Sequence, residues 1–164
     1  YNPTWFRHHR AAARCWKPRD SQMQENASTT STDDCIAAKV VDAAFRVHRE
    51  LGPGLLESAY EACLAYELRQ RGIVFQQQVA MPITYRTLQL QAGYRIDLVV
   101  EGRVLVEIKA VQELQPTHAA QVLTYLRLSS RRIGLLINFN TRMFKSGIRR
   151  LVCDSLRESG GEAI

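Results

Sequence analysis

The sequence predicts an α/β fold of the α+β or mixed kind, a central sheet with helices on both faces. Three observations predict it. Apolar residues recur at helical spacing in two successive segments before Gly72, and again after Pro116. Short strand-like segments lie between them and include a tight antiparallel hairpin. The nearly continuous apolar run Ile133-Gly134-Leu135-Leu136-Ile137-Asn138-Phe139 then reads as a buried strand. Helices distributed in this way around strands cover a sheet from two sides. The strands suffice for a mixed sheet of four to five.

The elements follow in order. Residues 1 to about 32 show no periodicity, carry His8-His9 and scattered arginines, and end in a polar run from Glu25 to Thr32. They read as a disordered or non-native extension, with Met23 as an internal start. Ser31 or Thr32 suits the N-cap of a first helix, and Asp33 and Asp34 suit the positive end of its dipole. Ile36, Val40, Val41, Ala44, Val47 and Leu51 give that helix its inner face, and Gly52-Pro53-Gly54 ends it. A second helix runs from Leu55 to Arg71, with Leu56, Ala59, Tyr60, Cys63, Leu64 and Leu68 inward and Gly72 as its stop.

Val74 to Ala80 and Pro82 to Tyr85 form one or two strands, and Pro82 favours an edge. Leu88 to Ala92 extends the second. The hairpin follows, then a third helix from Pro116 through Arg127 carrying Ala119, Ala120, Val122, Leu123 and Leu126. After the buried strand, the amphipathic piece from Met143 to Leu156 reads as a last helix. The folded domain thus spans 33–156, and 157–164 read as a flexible tail.

The hairpin carries the chemistry. Gly93 to Val100 and Val104 to Lys109 flank the three-residue loop Glu101-Gly102-Arg103. Pairing outward sets Val100 opposite Val104, Leu98 opposite Val106 and Ile96 opposite Ile108, an apolar face. The other face pairs Val99 with Leu105, Asp97 with Glu107, and Arg95 with Lys109. A slip of one residue would destroy the apolar face. Facing carboxylates repel across a sheet, and a hard divalent cation between them turns the repulsion into a ligand set. Lys109 projects from the same face as Glu107. Two acids and a lysine around one point suit phosphodiester hydrolysis. The same charges also suit a solvated outer face, and the hairpin alone leaves both readings open.

Other residues add to either reading. Glu57 lies in the first turn of the second helix and shares a face with Tyr60 and Glu61. The helix dipole alone accounts for an acid there. The other reading points Glu57 over the sheet toward the Asp97/Glu107 cation. His118, Gln121 and Tyr125 line one stripe of the third helix, either a solvated edge or a hydrogen-bonding platform in which Gln121 orients a neighbour and Tyr125 contacts phosphate or a base. His118 is assigned neither as base nor as ligand. Arg131, Arg132, Arg142, Lys145, Arg149 and Arg150 make the C-terminal third basic, which suits a phosphate backbone or a solubilising surface equally.

The bulk properties bound these readings. The 164 residues suffice for one domain. A net charge of +6 and a pI of about 9.4 are compatible with a polyanionic partner. Cys15, Cys35, Cys63 and Cys153 form no Cys-x-x-Cys pair and no zinc spacing, which reads as free thiols in a reducing, cytoplasmic setting. No stretch approaches a membrane span. Neither Gly-x-Ser-x-Gly nor a Gly-rich phosphate loop occurs, so nucleophile-plus-base catalysis finds no support.

Five ordered segments carry a family resemblance: Gly54-Leu55-Leu56-Glu57-Ser58-Ala59-Tyr60, Gly93-Tyr94-Arg95-Ile96-Asp97, Glu107-Ile108-Lys109, Gln121-Val122-Leu123-Thr124-Tyr125, and Gly134 to Asn140. On these the chain resembles the GxxExxY protein family, grouped with the PD-(D/E)XK nuclease superfamily. The likeness runs from about residue 34 to 153. It implies a restriction-endonuclease-like core. It implies Asp97 and Glu107 as metal ligands, with the Ile108 carbonyl as a third and Glu57 as a helix-borne acid beside them. It implies Mg²⁺ or Mn²⁺ as the cofactor. Lys109 would orient the attacking water and steady the transition state, and Gln121 and Tyr125 match a Gln-x-x-x-Tyr signature of one branch. Arg95-Ile96 precede the first acid, so the literal proline is absent.

The expected activity is metal-dependent hydrolysis of nucleic acid, with DNA as the partner. The alternatives are a nucleic-acid-binding module with a vestigial site and a structural or regulatory protein that binds metal for folding. The edge near Pro82 and the apolar C-terminal piece each offer a surface for a homodimer, and neither compels one.

Overall fold

The computed structural model describes residues 24–90 and 94–153. The expectations for 1–23, Gly93 and the C-terminal tail lie outside the described residues. The elements are α1 (Gln24–Leu51), α2 (Glu57–Gln70), β1 (Phe75–Ala80), β2 (Ile83–Tyr85), β3 (Leu88–Leu90), β4 (Arg95–Val100), β5 (Val104–Lys109), α3 (Pro116–Leu128), β6 (Ile133–Asn138), a 3-10 turn (Phe144–Gly147) and β7 (Ile148–Val152).

Five strands form one sheet in the order β1-β4-β5-β6-β7. The β5–β6 pair is parallel and the others are antiparallel, so the sheet is mixed as expected. Among the described residues β2 and β3 pair only with each other. On one face, Val40, Ala44 and Val47 of α1 and Tyr60, Leu64 and Leu68 of α2 join Leu98, Val100, Val104, Val106 and Ile108 in one buried cluster. On the other face, Val122, Tyr125 and Leu126 of α3 pack with Ile96, Val99, Leu105 and Leu136. Both faces of β6 are covered, so the strand is buried along its whole length and apolar up to Asn138. Gly134 lets α3 approach that strand: a Cβ there would meet Val122 Cγ1 at 2.6 Å.

The structure corrects the sequence reading in three places. α1 opens at Gln24, so Ser31 and Thr32 are inside the helix and do not cap it. The acids assigned to its dipole pair elsewhere: Arg103 Nε donates to Asp33 Oδ1 at 2.5 Å, and Arg150 pairs with Asp34. Among the described residues the last helix does not form. Met143 is extended, and after it a 3-10 turn from Phe144 to Gly147 leads into β7, antiparallel to β6. Ile148, Leu151 and Val152 stand three and four apart, a helical spacing that an edge strand packed on both faces also produces. Ile148 packs on the α1/α2 cluster and Leu151 on the α3 cluster.

The third correction lies at the hairpin. Val100–Val104, Val99–Leu105 and Leu98–Val106 pair as expected, and there the ladder stops. The pairs Ile96–Ile108, Asp97–Glu107 and Arg95–Lys109 do not form. Ile96 instead lies in the α3 cluster, while Leu98 and Val100 lie in the other. β1 changes face with it: Phe75 packs toward α1 and α2, Val79 toward α3. The β1–β4 ladder skips the position of Gln78 and Asp97, where Gln78 has φ +50°. A break in alternation on both strands thus sits at the first acid, as irregular strand geometry often does beside a site.

Candidate functional site

The broken ladder frees a backbone donor, and Asp97 takes it. Asp97 Oδ2 accepts from the Ile108 N–H at 2.7 Å. Its Oδ1 accepts from Gln78 Nε2 at 3.4 Å, a long contact. Asp97 therefore reaches β5 through its side chain rather than through strand pairing. Burial raises its pKa, against the Ile108 N–H and the Lys109 charge, which lower it.

Glu107 is 2% exposed on the α3 side of β5. Lys109 stands two residues on, so the strand period aims both side chains the same way. Lys109 Nζ donates to Glu107 Oε1 at 2.7 Å. Glu107 Oε2 is buried with no hydrogen-bond partner. Burial first, and the Asp97 carboxylate second, push the Glu107 carboxyl up to about 7. Burial alone would lower Lys109; the hydrogen bond to Glu107 and the charges of Glu107, Glu57 and Asp97 outweigh it and raise the amine.

Glu57 begins α2 and reaches the same end of β5, where its Oε1 accepts from the Ala110 N–H at 3.1 Å. The turn before it is held by Tyr60. That hydroxyl donates to the Gly52 carbonyl at 2.7 Å and accepts from the Leu55 N–H at 3.1 Å. Its ring stacks on Phe139, centroids 4.5 Å apart. Gly54 in that turn has φ +109°, which only glycine adopts without strain. The Gly-x-x-Glu-x-x-Tyr segment thus divides its work: glycine and tyrosine shape the turn, and the glutamate faces the site.

From α3, Gln121 Nε2 donates to the Tyr125 hydroxyl at 2.8 Å. Tyr125 is 4% exposed. Burial raises its phenol, the Gln121 bond opposes this, and the Glu107 charge adds to the rise. His118, the third residue of that stripe, is occupied: its Nδ1 accepts from the Gln115 N–H at 3.1 Å at the start of the helix.

Three further residues join the site without having been assigned to it. Gln78 Nε2 donates to Glu61 Oε2 at 2.9 Å as well as to Asp97, which brings Glu61 next to Asp97. The shared face of Glu57 and Glu61 was a usable signal; a glutamine within a strand was none. Asn138 is 1% exposed and clamps the chain just past Lys109. Its Nδ2 donates to the Val111 carbonyl at 2.8 Å, and its Oδ1 accepts from the Val111 N–H at 3.1 Å.

The donor set suits a hard cation. Glu107 Oε2 is a buried carboxylate oxygen left without a proton donor, beside a second carboxylate, and oxygen ligands of this kind are those Mg²⁺ and Mn²⁺ favour. Among the described residues no three of His, Cys, Asp or Glu stand together as a ligand group. Asp97 and Glu107 are the two acids that interact there, and Glu57 Oε1 accepts from the Ala110 N–H.

Comparison with known proteins gives one finding. A family model described as the PD-(D/E)XK nuclease superfamily matches residues 34–151. No curated protein and no solved structure matches the chain. No helix among the described residues is long and apolar enough to cross a membrane.

Proposed function

The chain belongs to the PD-(D/E)XK nuclease superfamily, and from that premise we propose that it is a metal-dependent nuclease hydrolysing DNA phosphodiester bonds. The observation that carries the reading is the unpartnered Glu107 Oε2, buried beside Asp97 and next to the Lys109 ammonium.

Asp97, Glu107 and the Ile108 carbonyl would hold Mg²⁺ or Mn²⁺. Such an ion lowers the pKa of water and neutralises phosphate charge. The protein's own groups do the rest. Lys109 orients the attacking water and offsets the charge that develops on the phosphoryl oxygens. Its raised pKa keeps it cationic at neutral pH. Glu57 holds the Ala110 N–H and contributes negative charge near Lys109. Gln121 fixes the Tyr125 hydroxyl, the group that would contact a phosphate. Hydrolysis adds water across one P–O bond, and the departing oxygen takes a proton.

The test incubates the chain with single-stranded, duplex and branched DNA, with and without Mg²⁺ or Mn²⁺. Glu107→Ala and Lys109→Ala are run alongside. Cutting that needs the metal and disappears in both variants is expected. DNA binding without cutting under every metal condition contradicts the proposal.

A further inference from the structure

The β2–β3 hairpin has one apolar side, and among the described residues that side stays largely exposed. Cross-strand partners in an antiparallel pair project to the same face. The pairs Ile83–Leu90 and Tyr85–Leu88 therefore share one face, and Thr84–Gln89 takes the other. On the apolar face Tyr85 is 63% exposed, Leu88 53% and Leu90 41%. The Arg86 guanidinium lies over the Tyr85 ring, 5.6 Å from its centre.

The hairpin springs from the sheet close to the acids. The Met81 N–H donates to the Tyr94 carbonyl at 2.9 Å, one step beyond the Ala80–Arg95 pair of the β1–β4 ladder. Asp97 is two residues past Arg95. Tyr94, at the hairpin's root, is 49% exposed, and its ring meets Tyr125 edge-on with centroids 6.5 Å apart. The exposed Tyr94 thus stands where the hairpin joins the sheet, and its ring touches Tyr125, which is itself buried against the site.

Charge selects the occupant. From residue 81 to residue 96, the hairpin and its root, the chain has no Asp or Glu, and it carries Arg86 and Arg95. Aromatic faces interleaved with arginines and free of acids match a polyanion with unstacked bases, because base–aromatic stacking needs rings that are not already stacked in a duplex. A second copy of the chain fits less well. Three half-exposed side chains fall well short of the ~800 Å² per partner of a standard interface, and Arg86 would approach its own copy.

We infer that the Ile83–Leu90 hairpin and Tyr94 form a stacking platform for unpaired bases, so that the substrate strand enters the Asp97/Glu107/Lys109 site single-stranded. This rests on the nuclease reading for what happens at the end of the path, and not for the binding itself. Substrates of the site are then single strands, flaps and frayed ends rather than blunt duplex.

Fluorescence anisotropy in EDTA separates binding from cutting. The full chain, the double variant Tyr85→Ser/Leu88→Ser and the variant Tyr94→Ala are each titrated against labelled single-stranded DNA and a blunt duplex of equal length. The expected result is tighter binding of the single strand by the unaltered chain. Each variant is expected to weaken single-strand binding about tenfold, with duplex binding and thermal stability unchanged. Single-strand binding that survives in the variants overturns the platform. So does a dimer dissolved by the double substitution with DNA binding intact, which marks a second copy as the occupant. If the double variant does not fold, Tyr94→Ala decides by the same criterion. Cleavage is read separately with Mg²⁺ or Mn²⁺. Platform-dependent binding without cleavage contradicts the nuclease reading alone, and cleavage with unaltered binding in the variants contradicts the platform alone.

Discussion

Lys109 Nζ donates to Glu107 Oε1 at 2.7 Å, a bond between side chains two residues apart on one strand. It satisfies one oxygen of a carboxylate that is 2% exposed and leaves the other without a partner. A buried acceptor in that state carries a desolvation penalty of about 1–3 kcal/mol, more when charged. The rest of the fold sustains this arrangement, and three consequences can be measured.

The first is a pH dependence of stability without metal. Folded Glu107 titrates at about 7 against an ordinary 4.5. Between those values the folded chain keeps a proton that the unfolded chain has released, so stability falls as pH rises through the window. Asp97, also raised, acts in the same direction. Lys109 is raised as well, but its window lies above 10.5, outside this range. Thermal melts in EDTA from pH 4.5 to 8 are expected to show the decline, and Glu107→Gln is expected to remove most of it. A slope identical in the variant would contradict the assignment to Glu107.

The second concerns Tyr60, whose hydroxyl ties the Gly52 carbonyl to the Leu55 N–H while its ring stacks on Phe139. Tyr60→Phe keeps the stack and loses both bonds. A stability loss of about 1–2 kcal/mol is expected in urea unfolding. A drop in cleavage is expected with it, because the turn aims Glu57. Tyr60→Ala removes the ring too and should cost about 3–5 kcal/mol. A phenylalanine variant equal to the parent in both measurements would show that the turn holds itself.

The chain order of the site made much of it legible. Asp97, Glu107 and Lys109 sit on two neighbouring strands, and the strand period alone puts Glu107 and Lys109 on one side. α3 was equally plain, because Pro116 marks its start and its apolar stripe is regular. What was hidden was non-local. Gln78 gives no hint that its backbone turns to φ +50° and breaks the alternation at Asp97. Asp33 looks like a dipole partner until Arg103, seventy positions along, claims it. β7 imitates a helix because it is buried from both sides at Ile148 and Leu151. The first turns of α1 are polar and carry no periodic signal.

The third consequence falls on Asn138, which pairs with both the N–H and the carbonyl of Val111 and so pins the segment after Lys109 to β6. Asn138→Leu preserves the volume and leaves Val111 with neither partner. The expected destabilisation is about 1–3 kcal/mol for each unsatisfied group that stays buried. Urea unfolding checks it. A neutral result would place the fixing of Lys109 elsewhere, with the bond from the Phe139 N–H to the Lys109 carbonyl at 2.8 Å.

The most direct measurement is the thermal shift on adding Mn²⁺ or Mg²⁺ to the chain at pH 8, where Glu107 is ionised. A rise in Tm is expected for the unaltered chain and for Lys109→Ala, and none for Glu107→Gln or Asp97→Asn. An equal rise in Glu107→Gln would contradict it, because the cation would then be bound without the oxygen that the fold leaves unpaired.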